Sequence, residues 1–201
     1  MSTGEITSTI SLAGLTMSGK VTRTEDGQIS HAPTLAAAQA GSLTTRTSDT
    51  VGEATLGAEH GITTAQVVDV YWSGGVRYGV TVGTVDGTAV PLADSGAGDN
   101  LPAENTALTV APRITIDTDF DGDLVTMIAA ACASRAHLHF VEDDETSLLA
   151  VELTAGEPWT WASDSSVTNP LADAVVGKVY ASCGAAAAAV VNLAALYDSA
   201  S

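Results

Sequence analysis

Residues 60–92 read HGITTAQVVDVYWSGGVRYGVTVGTVDGTAVPL. Val68, Val70 and Trp72 fall at every second position, which puts them on one face of a strand, and Ser73-Gly74-Gly75 then turns the chain. Val76, Tyr78, Val80 and Val82 keep the same period and are expected as the inward row of the next strand. Asp86-Gly87 marks a second hairpin before Thr88 to Leu92. Three antiparallel strands on such short turns make a meander, and a meander of this size closes into a small SH3-like barrel or forms the corner of a sandwich.

Upstream, residues 5–35 are rich in Thr, Ser, Ile and Val and are broken by glycines. They read as two or three strands with a tight hairpin at Asp26-Gly27. The stretch AAAQAG at 36–41 reads either as one helical turn capped by Gly41 or as a loop. Downstream, residues 93–106 hold Gly, Asp, Asn and Pro and read as a long surface loop that leads to another strand. Pro112 is the expected boundary between the two halves.

The second half opens with the strand RITID at 113–117 and passes through an acidic turn. Between Arg135 and Val141 the chain alternates, with Ala136, Leu138 and Phe140 expected inward and His137 and His139 outward. EDDET at 142–146 is then a hairpin loop, and AVVGKVYAS at 174–182 is a further strand. The alanine-rich tail favours a helix by propensity, but a helix there would be short and uncapped, so Val191, Leu193, Ala195 and Tyr197 are assigned to a final strand. The expected fold class is all-β: a small SH3-like barrel or meander in the first half, followed by an antiparallel β-sandwich-like second half. The expected spans are a strand-rich assembly segment over 1–50, the meander over 51–112 and the sandwich-like domain over 113–201.

Composition narrows the function. The chain has 201 residues, 45% of them hydrophobic, so it can bury a core. Its 24 acidic and 7 basic side chains give a net charge of -17, which repels a phosphate backbone, and no local basic patch offsets it. Nucleic-acid binding and membrane insertion are therefore not expected, and the acid at Glu5 stands where a secretory signal would carry basic residues. Cys132 and Cys183 are expected as buried thiols rather than a disulfide.

Three constellations carry metal or ligand chemistry on paper. DTDFDGD at 117–123 matches the opening of an EF-hand loop, but position twelve falls on Ile128 and position four on Phe120, so that reading fails. A plain acidic turn is expected there; a calcium or magnesium ion held by Asp119, Asp121 and Asp123 is the alternative. His137 and His139 have a metal-ligand spacing with Glu142 or Asp144 across the hairpin, against the simpler reading of solvated or interface-facing histidines. Trp159 and Trp161 share a strand face and are the candidates for a partner or glycan contact. No nucleophile elbow, phosphate loop or dinucleotide glycine pattern is present, so no catalytic residue, enzyme activity or cofactor is expected.

The segment HGITTAQVVDVYWSGGVRYGVTVGTVDG at 60–87 resembles barrel segments of structural proteins of tailed bacteriophages, in which a GHGL-x-x-GD-x-V opening leads into a valine-rich meander. Glu59 stands here at the first glycine of that opening, and Ala65-Gln66 at its Gly-Asp. The resemblance implies a non-enzymatic virion subunit displayed in many copies, whose partners are further copies and other virion proteins. A capsid decoration or cement protein is expected ahead of a tail-tube subunit, since no amphipathic helix is evident. The alternative reading is a glycan-binding β-sandwich module.

Overall fold

A computed structural model describes residues 5–12, 15–22, 27–93, 101–116, 124–162, 171 and 176–198. Among them there is no helix; the described chain is built of strands. In chain order these are β1 (Glu5–Leu12), β2 (Leu15–Thr22), β3 (Gly27–His31), β4 (Thr34–Leu35), β5 (Gln39–Arg46), β6 (Val51–Leu56), β7 (Val67–Trp72) and β8 (Gly75–Val82). There follow β9 (Ala89–Ala93), β10 (Ala107–Ile116), β11 (Leu124–Cys132), β12 (Ala136–Val141), β13 (Ser147–Leu153), β14 (Trp159–Ala162), β15 (Lys178–Cys183) and β16 (Ala189–Asp198). The all-β class is as expected. The chain divides into two compact units, one of residues 35–114 with 182–188, the other of residues 1–34, 115–181 and 189–201.

The first unit is a closed barrel. Its strands run β5-β6-β9-β8-β7-β10, and β10 returns to β5, with Leu108 opposite Gly41 on one side and Val110 opposite Val70 on the other. Period-2 patterning on every strand fills the interior: Leu43, Ala54 and Leu56, Val68 and Val70, Val80 and Val82, Val90 and Leu92, Leu108 and Val110. Burying each Val or Leu contributes about 1.5–3 kcal/mol, and closure leaves no unpaired edge in this unit.

Gly41 is a strand residue rather than a helix cap. A Cβ there would collide with the Thr55 carbonyl oxygen across the β5–β6 pair, so only glycine lets the two strands approach. The Ser73-Gly74 turn joins β7 to β8 through the pair Trp72–Gly75, as expected. The Asp86-Gly87 hairpin also forms: Asp86 and Ala89 exchange both backbone hydrogen bonds, and Gly87 sits at φ 57°.

One row of the meander departs from the alternation. Val80 and Val82 face the barrel interior, whereas Val76 and Tyr78 pack with Tyr71, Ala38 and Ala111 on the outer wall. The register explains it: Val68 lies opposite Val80 but Val70 lies opposite Arg77, so Tyr78 and Gly79 together face Asp69 alone. This is a β-bulge, and it flips the side chains on one side of it to the other face. Gly79 has φ 74°, a left-handed conformation open to glycine. β10 runs unbroken through Pro112, which pairs with Val68, and the division between the two units falls close to the expected boundary, between Ile114 and Thr115.

The second unit holds two antiparallel sheets and a separate ribbon. In one sheet β12 lies between β13 and β15; in the other the order is β14-β11-β16-β3. Phe140 of β12 and Trp159 of β14 meet with ring centroids 6.2 Å apart, a contact between the two sheets. The tail forms β16, with Val191, Leu193 and Ala195 buried. EDDET forms the β12–β13 hairpin loop, closed by the Glu142 and Glu145 backbone hydrogen bonds.

The N-terminal hairpin differs from the expectation. β2 pairs back onto β1 from Glu5–Thr22 to Leu12–Leu15, while β3 pairs with β16 and not with β2. Among the described residues the β1–β2 ribbon has no third strand. Asp26 of the expected Asp26-Gly27 turn lies outside the described residues.

Candidate functional site

A buried polar cluster in the barrel unit centres on Asp69. Its strand, VVDVYW, is apolar except for this one carboxylate, and β-alternation sends Asp69 outward together with Tyr71. There it is covered rather than solvated: Asp69 is 1% exposed, Tyr71 8% and Ser182 0%. Ser182 belongs to the 182–188 segment that forms part of this unit.

Three hydrogen-bond donors and one cation converge on the carboxylate. The Ser182 hydroxyl donates to Oδ2 at 2.6 Å and the Tyr71 phenol to the same oxygen at 3.3 Å. The Gly79 N–H, freed from the ladder by the bulge, donates to Oδ1 at 3.0 Å. The Arg113 guanidinium lies 3.6 Å from Oδ1 on the neighbouring strand β10. Tyr71 and Ser182 are also hydrogen bonded to each other. Since Ser182 gives its proton to Asp69, the phenol proton lies between Ser182 and the carboxylate.

Burial pushes the Asp69 carboxyl up from its ordinary range, and Arg113, Ser182, Gly79 and Tyr71 oppose that rise. Burial and the adjacent Asp69 charge push the Tyr71 phenol up, so it stays a proton donor. Chemically the arrangement holds protons in place. The Ser182 hydroxyl points its proton at Asp69 and is sealed from solvent. What the cluster does is join the two strands that close the barrel, since Asp69 of β7 stands opposite Ala111 of β10, and tie the 182–188 segment to them.

His137 and His139 share one face of β12 as their spacing requires, but the expectation of solvated histidines is corrected: they are 6% and 8% exposed. β12 is the middle strand of its sheet and is buried on both faces, which covers the side expected to face water. Burial lowers the His137 pKa to about 4, with the Arg135 charge acting the same way and Glu152 opposing. His139 Nε2 lies 2.8 Å from the Ser147 hydroxyl, and its ring tilts against Tyr180 at 6.5 Å. Asp144, across the hairpin, spends its carboxylate on the Thr146 N–H. Among the described residues no group of three His, Cys, Asp or Glu side chains could hold a metal ion.

Asp119, Asp121 and Asp123 lie outside the described residues. Trp159 and Trp161 occupy β14 opposite Ala130 and Ile128 of β11, both half-buried, with Trp159 drawn onto Phe140. Cys132 and Cys183 are buried thiols rather than a disulfide, as expected. On the surface, Glu145 accepts hydrogen bonds from the Tyr180 hydroxyl at 2.8 Å and from Lys178 Nζ at 2.6 Å, pinning the acidic loop to β15.

The Asp69 cluster was legible only in outline. A lone acid inside an apolar strand and a glycine inside the facing strand are the signals for a buried carboxylate beside a bulge. Ser182, 113 residues away in sequence, carries no such signal. Comparison with protein-family models, curated proteins and solved structures finds no match for this chain.

Proposed function

We propose that the chain is a non-enzymatic structural subunit that works in many copies, in the virion of a tailed bacteriophage, as a capsid decoration or cement protein ahead of a tail-tube subunit. The observation that carries the reading is the β1–β2 ribbon: two strands of 8 residues pair only with each other among the described residues. A two-stranded ribbon is marginal in water, and its outward N–H and C=O groups gain from a strand supplied by another polypeptide.

Charge supports the same reading. Copies that each carry a net charge of -17 repel one another least through segments poor in acid, and the ribbon sequence is such a segment, with Glu5 and Lys20 as its only charged residues. The buried titratable groups support it too, because Asp69 and Tyr71 are committed to bonds within the fold. The virion setting rests on the resemblance of residues 60–87; an acidic coat would keep decorated particles apart without holding DNA.

Sedimentation velocity across a concentration series tests the assembly, and mass spectrometry of purified particles tests the setting. Discrete oligomers of closed symmetry are expected. A chain that stays monomeric to its solubility limit, and that is missing from particles, overturns the reading.

A further inference from the structure

Resting on that reading, we propose that the β1–β2 ribbon of one copy adds to the free edge of β13 in a second copy. The barrel is closed and offers no edge, so strand addition must use the other unit. Among the described residues its sheets end at β13, β14 and β3, which run 7, 4 and 5 residues. Only β13 approaches the 8-residue length of the ribbon strands.

β13 also lacks the usual protection of an edge. SLLAVEL has no proline and no lysine, and the register shift in its pairing with β12 falls at one end, beside Val141 and Ser147. Leu148, Leu149 and Val151 are only half-buried, and Ala150 is exposed. Its single charge, Glu152, is held by Arg135 at 2.8 Å. Neutralised in this way, β13 is the counterpart of the ribbon, whose Glu5 and Lys20 cancel. In a chain this acidic, two long strands of near-zero net charge are where copies can meet with least repulsion. Among the described residues the ribbon pairs with no strand of its own copy besides itself, which leaves its edges to a second copy.

Sedimentation velocity on the full chain is compared with the Ile10→Pro and Ala150→Lys variants. Ile10 lies within β1, opposite Met17, where proline removes an N–H and breaks the ribbon; lysine at the exposed Ala150 guards the edge without entering the core. Each variant is expected to weaken association by at least about tenfold while circular dichroism keeps the strand signal of the full chain. In the assembled wild type, hydrogen exchange is expected to slow together in residues 5–22 and 147–153. Assembly that survives both substitutions, or that protects the ribbon but not β13, overturns the pairing while leaving the structural reading standing. A wild-type chain that never assembles overturns both.

Discussion

Replacing Asp69 by alanine strips Ser182, Tyr71 and the Gly79 N–H of their acceptor and leaves the Arg113 guanidinium, 3.6 Å from the lost Oδ1, without its counter-charge. At that separation the gross attraction is about 5 kcal/mol for an effective dielectric near 20, most of it offset by desolvation. Removing one partner of such a buried pair typically costs about 3–5 kcal/mol. Small domains have about 5–15 kcal/mol in all, so Asp69→Ala should remove a large share of the barrel's stability. The double variant Asp69→Ala/Arg113→Met takes away the buried cation as well, and should recover about 2 kcal/mol relative to the single change.

Urea denaturation in a Trp159→Phe/Trp161→Phe background measures this, since Trp72 on β7 then reports the barrel unit alone. A loss below about 1 kcal/mol for Asp69→Ala would show that the cluster does not lock the barrel. A double variant no more stable than the single one would show that Arg113 is not held by the carboxylate.

Further perturbations bear on the same architecture. Gly79→Ala places a Cβ 2.5 Å from Arg113 Nη1 in a left-handed conformation, so it should cost about 1–3 kcal/mol in the same denaturation assay. Acid should weaken the unit that carries His137: its folded pKa of about 4 lies below the ordinary 6.5, so the unfolded chain takes up the proton first. The stabilisation is therefore complete above about pH 6.5 and lost as pH falls toward 4, by at most about 3 kcal/mol and less after solvent screening. His137→Gln should flatten that part of a melting-temperature profile against pH. Millimolar calcium should leave the melting temperature unchanged if residues 117–123 form a plain turn; a site saturated 100-fold would add about 2.7 kcal/mol and raise it by several degrees.

Much of the fold was written locally. Alternating Val and Leu, glycine turns at Ser73-Gly74 and Gly87, and the tail's Val191, Leu193 and Ala195 specify strands because side chains of period two must share one buried face. Local signals cannot name a strand's neighbour. The ribbon closes on itself and β3 joins β16 because pairing is decided by which apolar faces can be buried together across long stretches of chain. The row Val76, Tyr78, Val80 and Val82 reads as one face in sequence, yet the bulge at Gly79 divides it, since one extra residue inverts every side chain on one side of it.

The candidate site shows the same boundary. Asp69 and Gly79 carry a trace of their role in their own strands, while the histidines of β12 were expected outward, solvated or facing an interface, and proved buried within the chain. Sequence alone determined that this is an acidic all-β chain with a valine-rich meander, because periodicity and charge are properties of neighbouring residues. Tertiary structure decided which carboxylate is buried, which hydroxyl answers it from 113 residues away, and which ribbon pairs only with itself among the described residues. Those depend on closure of the barrel and on the order of strands in the sheets, and burial and pairing of this kind exist only once distant segments meet.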